Sequence, residues 1–151
     1  MFSMSSLRES IFINAPLEKV AGYGMDPKEW AHWYAHLSEP IKLTGDGEAG
    51  TVGEFKYTIL GVHLPMTVEV KECSHGSDKH VWKGTFEGPL SGTQTFTYLD
   101  KDGGTEVVAD IEYDMPENII GKVANLLVVE KIQENATIAT LKNLKAICES
   151  M

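Results

Sequence analysis

His32 and His36 stand four residues apart in the stretch Asp26–Pro40, DPKEWAHWYAHLSEP. On a helix that spacing sets two imidazoles on one side, and such a pair is part of a zinc site or of an acid–base site. The neighbouring residues argue otherwise. Asp26 caps, Pro27 takes the first turn and Glu29 can reach back, so a helix starts here. Trp30, Trp33, Tyr34 and Leu37 then recur at the spacing of a buried face, and at about 100° per residue the histidines fall on the opposite, wet side. No glutamate follows His32, so the zinc-protease pattern is absent. A metal would need a third ligand brought from elsewhere. The stretch reads as a packing helix carrying two solvated histidines, and no metal is expected.

Gly45-Asp46-Gly47-Glu48-Ala49-Gly50 matches GxGxxG. A dinucleotide site needs a strand before that pattern and a helix after it, whereas here the strand-like EFKYTIL follows. Asp46 and Glu48 would also repel a pyrophosphate. The segment reads as a loop, and no cofactor is expected. Cys73 and Cys148 form no CxxC and suit two reduced thiols of an intracellular protein; Cys148 reads as core. No Ser/His/Asp or Cys/His set can be brought together. Asn135-Ala136-Thr137 fits a glycosylation pattern but sits inside a helical one.

The chain has 151 residues, enough for one domain with a real core or an internal cavity. Its net charge of −9 opposes binding to nucleic acid and to anionic lipid surfaces. An uncharged ligand held inside is not opposed. The start, MFSMSSLRES, lacks the apolar core of a signal peptide, so the expected location is the cytoplasm. Residues 1–6 are expected to be disordered. The longest fully apolar run, Leu126–Val129, is far too short for membrane insertion.

The elements follow from period. LRESIFINAP is a short strand, with Asn14 placed to cap the next helix. Leu17, Val20 and Ala21 share the face of a weak helix that Gly22 and Gly24 loosen. From Phe55 the period is two. The inferred inner face is Phe55, Tyr57 and Ile59; Met66, Val68 and Val70; His80, Trp82 and Phe86; Gln94, Phe96 and Tyr98; Val107, Ala109, Ile111 and Tyr113. A bulge would invert any one of these strands. Pro116 to Glu149 carries one long helical pattern whose apolar face includes Val123, Leu127 and Ile132. If continuous it would run about 50 Å, so it either nearly spans the domain or breaks between Ile119 and Asn125. Strand, two small helices, antiparallel meander and long closing helix make an α+β fold.

That order, with SIFINAPLEKV, Asp26-Pro27 before Trp30 and Trp33, TVGEF, VWKGTFEGPLSGTQTF, GGTEVVADIEYDMP and the C-terminal IIGKVANLLVVEKIQENATIATLKNLKAI, resembles the START-like or helix-grip superfamily. Its nearest branch is the polyketide cyclase/dehydrase and lipid-transport group. The resemblance covers essentially the whole chain, 1–151, as a single domain. It implies a curved antiparallel sheet around the long C-terminal helix, with a hydrophobic cavity between them. Relatives often carry a large aromatic where Ala21, followed by Gly22 and Gly24, stands here; this departure implies a larger cavity, a looser entrance or a locally repacked helix.

With strand parity, the resemblance nominates Phe55, Tyr57, Met66, Val68, Trp82, Gln94, Phe96, Tyr98, Ala109, Ile111, Tyr113, Val123 and Leu127 as ligand-binding residues. No aspartate, glutamate, lysine or arginine falls on the inferred inner face. Tyrosines and a glutamine in an apolar wall orient a ligand by hydrogen bonds. The reading favours a non-catalytic binder of a small hydrophobic ligand, whether lipid, aromatic or polyketide-like. The alternative is a cyclase or dehydratase with His80 or a cavity tyrosine as acid–base. A third reading, a module docking proteins through the helix or sheet edge, has no exposed apolar stripe behind it, and no protein partner is indicated.

Overall fold

The computed structural model describes the backbone of residues 2–116 and 126–151, with side chains from Ser5 to Asp114 and from Leu126 onward. The strands are β1 (Phe2–Ile13), β2 (Lys42–Thr44), β3 (Val52–Ile59), β4 (Val62–His75), β5 (Lys79–Glu87), β6 (Ser91–Lys101) and β7 (Gly104–Pro116). Two short helices, α1 (Leu17–Gly24) and α2 (Trp30–Trp33), follow β1, and α3 (Leu126–Ser150) closes the chain. All seven strands join one antiparallel sheet in the order β1-β7-β6-β5-β4-β3-β2. Strands β3 to β7 form the expected meander, and β1 returns to pair with β7 along its length. The β6–β7 hairpin turns at Asp102 (φ 49°) and Gly103 (φ 79°), the left-handed pair that a two-residue turn between twisted strands requires. This is the helix-grip arrangement, a curved sheet gripping a long C-terminal helix.

Every inner-face residue expected on β3 to β7, from Phe55 to Tyr113, is buried. Alternation was therefore a sufficient guide through the centres of the strands. It fails at one place. The β4–β5 register shifts between Val70 and Glu72, so an extra residue enters β4. Beyond this bulge the parity reverses: Cys73 pairs with Trp82 and His75 with His80, while Glu72 and Ser74 pair with the outer-face Lys83 and Val81.

Several expectations at the ends of elements are corrected. Residues 2–6, expected to be disordered, belong to β1, which begins at Phe2, pairs with Pro116 and buries Ser5. The long β7 offers a ladder that this polar segment completes. Asn14 does not cap α1: Pro16 holds the N-cap position without a side-chain bond, and the Asn14 N–H donates to Glu149 Oε2 at 2.7 Å. The helix expected to run to Leu37 stops at Trp33. Tyr34 is extended (ψ 114°), His36 is left-handed (φ 70°) and Leu37 bridges to Tyr57 of β3. Pairing with the sheet wins over helical propensity there. Pro116 ends β7 instead of starting the last helix, and the expected break between Ile119 and Asn125 lies outside the described residues.

Candidate functional site

Between the concave sheet and α3 lies a cavity. The sheet contributes Tyr57 of β3, Met66 and Val68 of β4, Trp82 and Phe86 of β5, Gln94, Phe96 and Tyr98 of β6, Ile111 of β7 and Leu7 of β1. Trp30, Trp33, Tyr34 and Leu37 close one end, Leu90 contributes from the β5–β6 turn, and α3 adds Gln133, Ala136 and Thr137. Among these lining residues none carries a carboxylate, ammonium, guanidinium or imidazole. The cavity volume is about 70 Å³, room for a few water molecules and well below the roughly 300–1,000 Å³ of a drug-sized ligand pocket.

An aromatic cluster forms the wall. Trp30 meets Trp82 edge-on at 5.3 Å, Trp33 meets Phe96 at 5.7 Å, and Trp82 meets Phe96 at 6.2 Å between ring centroids. These T-shaped contacts suit the positive ring edge and negative ring face. Gly24 permits one close approach: a Cβ there would lie 2.5 Å from the Tyr98 hydroxyl oxygen. Within the Ala21–Gly24 departure, Ala21 is buried and Gly24 makes room for the Tyr98 phenol. Gly22 is exposed with nothing within 4 Å of its would-be Cβ.

The cavity's polar atoms are paired across elements. Tyr34 Oη donates to Gln94 Oε1 at 2.6 Å, and Tyr57 Oη donates to Gln133 Oε1 at 2.7 Å. Thr137 Oγ1 donates to the Gln133 carbonyl at 2.8 Å. Two donors are left over: among the described residues, Trp33 Nε1 and Trp82 Nε1 are buried without a hydrogen-bond partner. A buried donor left unsatisfied costs about 1–3 kcal/mol. Burial also pushes the Tyr34, Tyr57 and Tyr98 hydroxyls well above the usual tyrosine range. A neighbouring Tyr57 adds to the shift at Tyr34 and Tyr113 to that at Tyr57, while the glutamine hydrogen bonds oppose it. These hydroxyls are neutral donors rather than bases.

The residues nominated from sequence divide clearly. Tyr57, Met66, Val68, Trp82, Gln94, Phe96, Tyr98 and Ile111 line the cavity. Phe55, Ala109 and Tyr113 are buried in the core without lining it. Phe55 packs against Trp30 at 5.9 Å. Leu127 is 79% exposed, on the wrong side of α3. The reason is helical phase: the buried face of α3 runs through Val129, Gln133, Ala136, Thr137, Thr140, Leu141, Leu144 and Cys148. Counting only apolar residues rotated the inferred face, because Gln133, Thr137 and Thr140 are buried with their hydrogen bonds satisfied. Val123 lies outside the described residues. Gln133 and Thr137 were thus missed, and their i, i+4 spacing in line with Val129 was the available signal.

His80 is buried but does not line the cavity. Its Nε2 lies 3.0 Å from Glu18 Oε1 and its Nδ1 lies 3.1 Å from His75 Nδ1. It belongs to a separate polar crevice between α1, the 45–50 loop and the end of β4. His32 and His36 are both exposed, and His32 Nδ1 pairs with Glu29 Oε2 at 2.8 Å.

Comparison with known proteins follows the same lines as the geometry. Solved structures with the same fold include Ara h 8.0201, with a TM-score of 0.70 at 13% identity, covering 99% of this chain and 100% of that one. The Zhui aromatase/cyclase from a Streptomyces species gives a TM-score of 0.77 at 13% identity, over 97% of this chain and 94% of that one. The major latex-like protein 151 of Panax ginseng gives 0.68 at 15% identity, over 96% and 97%. Identities this low establish the shared fold alone. Among curated proteins no sequence relative is found. No described helix is long and apolar enough to cross a membrane. The family model for polyketide cyclase/dehydrase and lipid transport matches residues 4–149, and the chain belongs to that family.

Proposed function

We propose that this protein binds a small, uncharged, hydrophobic ligand bearing one or two acceptor oxygens, held between the sheet and α3. The observation that carries the reading is the wall itself. It is aromatic and aliphatic, has no ionisable group of near-neutral pKa among its lining residues, and contains two indole N–H donors without an acceptor. A carbonyl, ether or hydroxyl oxygen on the ligand supplies that acceptor, and the tyrosine–glutamine pairs fix its orientation. Because the cavity volume is only about 70 Å³, uptake requires the wall to part. In this reading α3 is the wall that yields: its Gln133 and Thr137 meet the sheet through one side-chain bond, Tyr57–Gln133.

The same wall argues for a carrier or sensor over an enzyme. His80 is turned away, and the buried tyrosine hydroxyls are poor bases. A cyclase would rely on a tyrosine as proton donor to a developing enolate, and Tyr57→Phe would then abolish turnover while preserving binding. The free thiols Cys73 and Cys148 accord with a cytoplasmic setting.

The test is native mass spectrometry of gently purified protein, alone and after exposure to fatty alcohols and polycyclic aromatic ketones. A retained or acquired mass of one ligand per chain is expected, weakened at least about tenfold by Ala136→Leu, which fills the cavity. Protein that stays empty with every such compound overturns the reading. So does uptake that Ala136→Leu leaves untouched.

A further inference from the structure

The crevice that holds His80 contains a second constellation, independent of the cavity. We propose that Glu48, Cys73 and His75 form a binding site for a divalent cation of the zinc class, with water as fourth ligand. Cys73 Sγ lies 3.7 Å from His75 Nε2 and 3.8 Å from Glu48 Oε2, and that oxygen lies 3.2 Å from His75 Nε2. A tetrahedral zinc, bonded at about 2.3 Å to sulfur and about 2.1 Å to nitrogen and oxygen, holds such donors about 3.4–3.6 Å apart. The three atoms already outline one face of that tetrahedron. A thiolate, an imidazole and a carboxylate form a donor set that suits zinc better than calcium or magnesium.

Local structure explains how the donors meet. Without the β4 bulge, Cys73 and His75 would face solvent on the convex side; with it, both share the face of Val70. The bulge also anchors the 45–50 loop. Gly50 N–H donates to the Val70 carbonyl at 2.8 Å, and Val70 N–H donates to that of Thr51 at 2.9 Å. Thr51 Oγ1 accepts from Gly47 N–H at 2.8 Å, across a loop whose glycines have φ of 116°, 102° and 98°. The pattern that resembles a nucleotide loop is thus a scaffold that delivers Glu48. The Glu48 and His75 side chains are 55% and 48% exposed, so an ion has a path in.

The hydrogen bonds behind His75 supply an independent argument. His80 Nε2 faces a carboxylate oxygen of Glu18 at 3.0 Å, so it carries the proton. With both rings neutral, His80 accepts at Nδ1 and His75 donates from its own Nδ1, 3.1 Å away. Neutral His75 is left with a bare lone pair at Nε2, aimed at both Glu48 oxygens at 3.1 and 3.2 Å. Two acceptors facing each other repel unless a cation lies between them. A carboxylate–histidine relay behind a ligating imidazole is the outer shell that fixes tautomer and ring orientation in metal sites. On coordination the Cys73 S–H proton is released to solvent as the Sγ–metal bond forms. The competing arrangement is one added proton on the His75–His80 pair, which puts a hydrogen on His75 Nε2 and needs no metal.

Calorimetric titration of chelator-treated, full-length protein with zinc chloride decides between them. One saturable site is expected. Cys73→Ser and His75→Ala should each weaken it beyond the roughly 10–100-fold that loss of an outer partner costs, and Glu18→Gln should fall within that range. Cobalt(II) should give a thiolate-to-metal charge-transfer band that Cys73→Ser abolishes. Absence of saturable binding overturns the proposal in favour of the protonated His75–Glu48 pair. Binding that survives Cys73→Ser and disappears in His32→Ala overturns it in favour of the other surface histidines.

Discussion

Two chambers share one sheet and differ in almost every chemical respect. His80 and Tyr98 are paired across β5 and β6, as are Trp82 and Cys73 across β5 and β4. Tyr98 and Trp82 face the cavity; His80 lines the polar crevice, and Cys73 touches its Glu48 and His75. The covering helix makes the difference. Over the cavity, α3 offers Gln133, Ala136 and Thr137, whose polar atoms bond internally. Over the crevice, α1 offers Glu18, Ala21 and Gly22, a charged residue and two that leave room. Apolar surroundings punish charge, so only neutral, mutually bonded groups persist in the cavity; water at the crevice tolerates carboxylates and imidazoles at close range. The same strands therefore build an apolar pocket at their centres and a charged, polar crevice at their ends.

If the cavity truly excludes solvent, high pH should break it first. The Tyr34, Tyr57 and Tyr98 pKa values are raised above the ordinary tyrosine value. Above about pH 10 the unfolded chain gives up protons that the folded chain keeps. Stability is then intact below pH 10 and falls as pH rises, by about 1.4 kcal/mol per pH unit for each such tyrosine. Three together make about 4 kcal/mol per unit. Urea unfolding at a series of pH values, with tyrosinate absorbance followed in parallel, checks this. In a Tyr23→Phe background, tyrosinate appearing at pH 10 with no loss of structure would show an open, hydrated cavity. Next in size is Trp82→Ala, which removes a ring in contact with Trp30 and Phe96 and should cost about 3–5 kcal/mol in urea unfolding.

The centres of the strands were legible from sequence because side-chain alternation and burial are the same fact in a half-buried sheet. Eight nominated residues, Tyr57, Met66, Val68, Trp82, Gln94, Phe96, Tyr98 and Ile111, line the cavity for that reason. What was not legible depends on partners distant in sequence. Gln133 reads as a wet residue until Tyr57, far away in the chain, provides its donor. Leu127 reads as core until the buried Gln133, Thr137 and Thr140 fix the helix face. The β4 bulge leaves no mark in MTVEVKECSH, so Cys73 and His75 could not be placed beside Glu48. The family resemblance supplied the order of elements but no phase for any of these.

Gly24→Ala sharpens the comparison at the wall between the chambers. Its new methyl would stand 2.5 Å from Tyr98 Oη and 3.1 Å from two ring carbons, with the phenol fully buried. Overpacking of this kind costs about 1–3 kcal/mol. Tyr98→Phe removes the nearest atom, so the double variant should recover part of that loss, whereas two additive losses would mean that the helix yields instead of the ring. On the crevice side the expected effect is smallest. His75→Ala truncates a half-exposed side chain outside the core; water takes its place at His80 Nδ1, so metal-free stability should move by no more than about 0.5 kcal/mol. Its removal leaves His80 without the Nδ1 partner yet still held by Glu18. A larger loss in metal-free protein would mean that the relay supports the fold itself, and the two chambers would then be one cooperative unit.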